Sequence, residues 1–301
     1  MVKTKGLKLM PIRNSLNIGD AKITLIEEMV MPTSVKWLLP EYPEPYGLLE
    51  KATPWLKPNY INEKGHLLQS IHSWVVEVDG MKVVIDTGIG DSKNRQSEGF
   101  EGWHMKQGTY LQDLENAGIP ADSVDFVINT HLHQDHAGWN TKLVEKTWVP
   151  TFNNARYKIV APEWDYWTSD EIGPIPIIED SVLPVFKENL VDLVSADYKL
   201  SDSITFEPSH GHTPGHVCIN ISSQNQTAII TGDLLHNPIQ CAAPEARPTF
   251  DKDAAPARKT RISFLEKYAN TETLILGTHF HHPAAGVIRK DNNFYRYESV
   301  D

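Results

Sequence analysis

Thr130-His131-Leu132-His133-Gln134-Asp135-His136-Ala137-Gly138-Trp139 places three histidines and an aspartate within six positions. The stretch directly follows an apolar run of strand length over residues 125–129. On an extended backbone alternate side chains share a face, so His131 and His133 point to one side. A turn after them can swing Asp135 and His136 toward an adjacent point. Neutral imidazoles and carboxylates suit Zn²⁺, and also Mn²⁺, Fe²⁺ or Co²⁺, without any thiolate. A polar loop with chance histidines is the bland alternative, and four potential ligands within six residues speak against it.

Three further clusters lie where more strands begin or end. Ser209-His210-Gly211-His212-Thr213-Pro214-Gly215-His216 precedes an apolar run over 217–221, and Thr231-Gly232-Asp233-Leu234-Leu235-His236 closes one over 227–231. Gly277-Thr278-His279-Phe280-His281-His282-Pro283 follows another over 273–276. A lone Gly-Asp is an ordinary turn, and a lone strand-end histidine is ordinarily solvated. Ten of the 13 histidines nevertheless fall in these four clusters. Four ligand-bearing loops at strand ends are the arrangement that a two-metal site requires.

The rest of the sequence limits what such a site can serve. With 301 residues the chain can bury a sizeable core, and 40% hydrophobic, 22% charged and 9% aromatic residues describe a globular protein. A net charge of −11, with no run of Lys or Arg, argues against a nucleic-acid partner. The longest apolar runs are far short of a membrane span, and Lys3, Lys5 and Lys8 have no continuous apolar segment behind them. No signal peptide and no membrane association are therefore expected. Cys218 and Cys241 are too few for a disulfide framework, so a cytoplasmic location is expected.

Strands are expected over 22–26, 72–78, 81–86, 125–129, 156–160, 204–207, 217–221, 227–231 and 273–276. Asp79-Gly80 predicts a type I′ hairpin between the second and third of these. Helices are expected over 109–116, with Leu111 and Leu114 on one face and Gly118 beyond its end, and over 256–268, with Pro256 in the first turn. This order suggests an α/β protein with two sheet layers covered by helices, forming one domain over 1–301. Residues 31–66 stand apart: prolines 32, 40, 43, 45, 54 and 58 alternate with Trp37, Tyr42, Tyr46, Trp55 and Tyr60. An irregular edge loop is expected there. It would serve as an apolar lid over a pocket, with Trp37, Tyr42, Trp55 and Trp139 touching substrate, or as a homodimer contact.

The block His131-x-His133-x-Asp135-His136, with His212-Thr-Pro-Gly-His216, Thr-Gly-Asp233 and Gly-Thr-His279, resembles the metallo-β-lactamase superfamily in order and spacing. Val83-Val84-Ile85-Asp86-Thr87-Gly88 is similar to that family's early Asp-Thr-Gly strand end. The resemblance spans roughly Ser70 to His282. It implies an αββα sandwich (two mixed sheets flanked by helices) with two divalent metal ions at one edge, Zn²⁺ first among them. It puts His131, His133 and His212 on one metal, Asp135, His136 and His279 on the other, and Asp233 across both. Asp86 and His216 become supporting residues that touch ligands rather than metal. His210, His281 and His282 have no matched role.

The resemblance further implies a hydrolase in which a metal-bridging hydroxide attacks a lactone or other carboxylic ester, with Asp135 or a water protonating the leaving alkoxide. The N-acyl-homoserine lactonase and methyl parathion hydrolase branches are the most similar. Lactonases often carry tyrosine where this chain has His236, and organophosphate hydrolases of this fold carry histidine. His236 is thus expected either to donate to the developing oxyanion or merely to line the pocket wall. A phosphotriester hydrolase is the alternative within hydrolases. A mononuclear iron enzyme resembling persulfide dioxygenase is the more distant rival, and it would leave Asp135 and His279 unused.

Overall fold

The computed structural model describes residues 15–96, 100–291 and 294–300. Strands β1 (Ser15–Ile18), β2 (Ala21–Thr33), β3 (Leu67–Val78), β4 (Met81–Ile85) and β5 (Phe126–Ile128) open the first sheet. A separate hairpin, β6 (Thr141–Val144) and β7 (Thr147–Pro150), precedes β8 (Arg156–Val160) and β9 (Val191–Val194), which complete it in the order β1-β2-β3-β4-β5-β8-β9. The second sheet runs in chain order through β10 (Ile204–Pro208), β11 (Val217–Ser223), β12 (Gln226–Ile230), β13 (Leu274–Leu276), β14 (Ala285–Asp291) and β15 (Phe294–Ser299). Both sheets are mixed. Neighbours from β4 to β9 in the first sheet pair in parallel, as do β12 and β13 in the second.

Among the described residues six α-helices accompany the sheets: α1 (Val35–Leu38), α2 (Pro45–Leu56), α3 (Tyr110–Asn116), α4 (Ala161–Trp167), α5 (Leu183–Lys187) and α6 (Ala254–Tyr268). Strand periodicity explains the layering. Trp74, Val76, Val83, Ile85 and Ile128 face inward and meet Ile219, Ile221 and Ile230 of the second sheet. Val75, Val84 and Val127, one residue out of step, face the other way and are covered by Tyr110 and Leu114 of α3. On the far side α6 buries Phe264, Leu265 and Tyr268 against the second sheet. The result is the αββα order expected from the sequence. Because the middle strands are covered on both faces, β3 and β4 read as continuous apolar runs. The β3–β4 turn has Asp79 at φ 55° and Gly80 at φ 75°, with Val78 opposite Met81, as a type I′ turn requires.

Residues 31–66 are more ordered than an edge loop. β2 continues to Thr33, the Ser34 hydroxyl caps α1 by accepting from Trp37 N (3.0 Å), and α2 begins at Pro45. Proline is preorganised for a first helical position, where its missing N–H goes unneeded. Leu48, Ala52 and Leu56 then recur every four residues and are buried, with Val35, Leu38 and Tyr60, in the main core. Of the segment's aromatic rings only Tyr46 is largely exposed. No helix among the described residues is long and apolar enough to cross a membrane.

Candidate metal centre

The clusters meet because of where the strands stop. β5 ends at Ile128 and feeds the 130–139 stretch, β12 ends at Ile230 just before Asp233, and β13 ends at Leu276 just before His279. Each is a parallel strand, and the crevice outside the carboxyl ends of such strands is where α/β proteins gather functional side chains. The loop entering β11 supplies His212 and His216. Backbone bonds lock these loops together: Thr87 N donates to His136 O (2.7 Å) and Val217 N to Thr130 O (3.1 Å).

Two groups of donor atoms result. His131, His133, His212 and Asp233 form one, and Asp135, His136 and His279 the other; in each, the donor atoms lie within 4.8 Å of one another. Asp233 faces both groups with different oxygens. Its Oδ2 lies 3.2 Å from His212 Nε2 and 3.7 Å from His131 Nε2, while its Oδ1 lies 3.1 Å from His136 Nε2 and 3.0 Å from His279 Nε2. Asp135 stands 3.7 Å from His136 Nε2 and 3.5 Å from His279 Nε2.

Two observations show that this donor set fits a pair of cations. His136 Nε2 and Asp233 Oδ1 are buried and 3.1 Å apart, yet neither makes a hydrogen bond. Buried polar atoms are almost always paired, so a ring nitrogen and a carboxylate oxygen left unmet this close together mark a place for a bound cation. Similarly, His131 Nε2 and His212 Nε2 both approach the same His133 Nδ1 at 2.9 Å, a crowding that no arrangement of single imidazole protons satisfies. The electrostatics of the site are divided: burial opposes protonation of its imidazoles, yet Asp233 and neighbouring carboxylates raise His136, His212 and His279 above the ordinary histidine range. Burial holds His131 and His133 well below the ordinary histidine range, keeping their nitrogen lone pairs free. Burial penalises the Asp233 carboxylate, yet the surrounding imidazoles, led by His136 and His279, overcome it and hold Asp233 well below the carboxylate range.

A second ring of groups orients the donors. Asp86, at φ 55°, accepts from Thr130 N and Thr130 Oγ1 (2.8 Å each) and meets His136 Nδ1 at 2.9 Å. His216 accepts from Asp233 N at Nε2 (2.8 Å) and pairs with Ser209 Oγ at Nδ1 (2.8 Å). Both residues lie behind the donors. Three carboxylates in this ring were not expected. Asp251 meets His212 Nδ1 (3.2 Å) and is held by Arg261 (2.6 Å). Glu163 of α4 binds the backbones on either side of the His133 and His212 rings. Glu28 lies further out, at a β-bulge in β2, and accepts from Ile89 N, Gly90 N and Trp139 Nε1 rather than from any residue of the two donor groups. None lies in a histidine cluster. The one signal available was the presence of acidic residues in otherwise buried elements.

Four of the donors, His133, Asp135, Asp233 and His279, form the floor of a cavity of about 260 Å³. Its walls are apolar: Met31, Trp37, Ile71, Phe100, Trp103 and Phe250 on one side, and Leu132, Trp167, Ile175 and Ile177 on the other. Among the described lining residues only Asp135 and Asp233 carry charged side chains. His236 is buried at the floor, with both ring nitrogens lacking a hydrogen bond and Nε2 3.3 Å from Asp233 Oδ2. Of the four aromatic residues expected near substrate, Trp37 lines the cavity. Tyr42 lies in a separate groove with Glu245 and Arg247, and Trp55 packs against the core from α2. Trp139 is buried outside the cavity, stacked on Tyr110 at 5.3 Å with its indole N–H given to Glu28. His210 is exposed, and His281 and His282 are half-buried outside the lining.

A model of the metallo-beta-lactamase superfamily matches residues 68–279. An N-acyl homoserine lactonase of Bacillus sp is 20% identical over 176 residues, 55% of this chain and 64% of that protein. A probable hydroxyacylglutathione hydrolase of Schistosoma mansoni is 30% identical over 132 residues, 42% of this chain and 44% of that protein. The chain thus spans less than two thirds of the length of these relatives. Among solved structures, the hydrolase AbOPH of the beta lactamase superfamily has a TM-score of 0.81 at 20% identity, covering 98% of this chain and 99% of that one. The dizinc quorum-quenching lactonase AidC, in complex with a product, has a TM-score of 0.75 at 19% identity, covering 95% and 97%. At these identities the two likenesses bear on the fold.

Proposed function

The chain belongs to the metallo-beta-lactamase superfamily, and from that premise we propose that it is a dinuclear metal-dependent hydrolase of lactones or other carboxylic esters that carry an uncharged, apolar group. The observation that carries this reading is Asp233, whose two oxygens face two separate donor groups at the floor of an apolar cavity. His131, His133 and His212 would hold one ion, Asp135, His136 and His279 the other, and Asp233 both. Zn²⁺ suits the set best, with Mn²⁺, Fe²⁺ and Co²⁺ also compatible. When bound, two such ions lower the pKa of a coordinated water from about 15.7 toward about 7 and polarise the ester carbonyl.

The chain's own residues supply the rest. The apolar walls take the acyl or aryl group and keep bulk water from the floor, and the lack of a cationic side chain among the described lining residues disfavours anionic substrates. An imidazole N–H of His236 can donate to the carbonyl oxygen as it gains charge. The Asp135 carboxylate, mostly buried but open to the cavity floor, can take up a proton and pass it to the leaving alkoxide oxygen. Convergence of Asp135 with His136 and His279 favours two metals over one, because a mononuclear oxygenase would have no use for that group. The cytoplasmic location expected from Cys218 and Cys241, both buried free thiols, belongs to the same proposal.

Hydrolysis of a lactone, an aryl ester and a phosphotriester by one sample, with Asp233→Ala beside it, tests this reading. Lactone or ester turnover that disappears in the variant is expected. Faster cleavage of the phosphotriester would move the assignment to organophosphate hydrolysis, and failure on all three would refute a hydrolase of this kind.

A further inference from the structure

We infer that Glu163 is a positioning residue that sets metal affinity in the His131, His133 and His212 half of the site and ties that half to the Trp167 wall of the cavity. The inference rests on the dinuclear reading above. Glu163 is 1% exposed, in the first turn of α4. Its Oε1 accepts from Leu132 N (3.1 Å) and from the Trp167 indole N–H (2.5 Å), and its Oε2 accepts from Gly215 N (2.8 Å). Leu132 lies between His131 and His133, and Gly215 lies three residues after His212. One carboxylate therefore pins both loops that supply the three imidazoles of this half.

The loop around Gly215 is built to permit this approach. A Cβ at Gly215 would stand 2.4 Å from Glu163 N, so the clamp requires glycine there. Trp167, the third donor, lines the cavity and meets the His133 ring edge-on at 5.3 Å. The other half has separate supports: His136 is held by Asp86 (2.9 Å) and His279 by the Ser70 carbonyl (3.0 Å), and Glu163 touches neither. The effect of losing Glu163 is therefore one-sided. Glutamine has nearly the same shape, but its amide group would present N–H to a backbone N–H on one side of the clamp, leaving a buried donor unmet.

Titrating Co²⁺ into chelator-stripped wild type and Glu163→Gln, followed by calorimetry and visible absorption, tests the inference. Supporting residues of this kind change metal affinity by about 10- to 100-fold. One of two binding steps should weaken by that factor in the variant, and the other should stay within about twofold. Two unchanged steps, or two equally weakened ones, would overturn the inference and leave the dinuclear reading standing. A wild type that takes up fewer than two ions would overturn both. Amide exchange on stripped wild type covers a variant that fails to fold. The Leu132 and Gly215 amides should be as protected as that of Thr130, and exchange at open-loop rates would overturn the clamp.

Discussion

The floor and the wall of the cavity are built by opposite rules. Every donor on the floor comes from a short, polar, contiguous motif at a strand end, and several are braced by a buried partner: His136 by Asp86, His212 by Asp251, His279 by the Ser70 carbonyl. The wall comes from single apolar residues scattered between Met31 and Phe250, held by one another. Phe100 sits 4.2 Å from Trp103, 5.8 Å from Trp37 and 5.7 Å from Phe250, ring centre to ring centre. A directional floor fixes reacting atoms to fractions of an ångström. A wall of ring contacts needs only shape and apolarity, so its residues can be exchanged with smaller effect.

That contrast orders the expected effects of perturbation. Removing the shared carboxylate with Asp233→Ala should lower kcat/KM by at least about a thousandfold, since metal-assisted charge stabilisation is worth several kcal/mol and about 1.4 kcal/mol is tenfold. Steady-state kinetics with elemental analysis of the same sample would show it, and a variant that keeps both ions and most of its rate would erase the floor's special status. Asp86→Asn should weaken metal retention by about 10- to 100-fold, read by competition with a chelating dye. Phe250→Ala, in the wall, should raise KM for an aryl or long-chain ester by roughly three- to tenfold with metal content unchanged, because an aromatic contact is worth about 0.5–1.5 kcal/mol. A wall variant that lost metal would blur the two regions into one. Chelation alone should lower Tm by several degrees per ion while leaving far-UV circular dichroism nearly unchanged, since ions that bind only the folded chain stabilise it by mass action.

The same contrast explains what could be read without coordinates. His131, His133, Asp135, His136, His212, Asp233 and His279 announce themselves because ligand chemistry demands particular residue types at fixed local spacings. Glu28, Glu163 and Asp251 do not, because their partners lie far along the chain and nothing local distinguishes them from surface acids. Glu28 depends on a bulge in β2, which re-aims a side chain that plain alternation would misplace. Among the aromatics, Trp37 and Trp139 look alike in sequence; only the tertiary path turns one into the cavity and the other onto Tyr110 and Glu28. The nine expected strands lie within observed ones or overrun them by a residue or two, whereas β1, β6, β7 and β9 have no counterpart among them, and neither do β14 and β15. Charged residues at Arg289, Lys290, Arg296 and Glu298 break up their apolar pattern. The proline-rich composition of 31–66 likewise masked the four-residue spacing of Leu48, Ala52 and Leu56 that makes α2 a core helix.

Counting metal ions per chain in protein purified without added metal, by elemental analysis, tests the central claim most directly. Two divalent ions per chain, falling below two in Asp233→Ala, is the result expected from a carboxylate that serves two donor groups. A single iron per chain, retained when Asp135 or His279 is replaced by alanine, would contradict it.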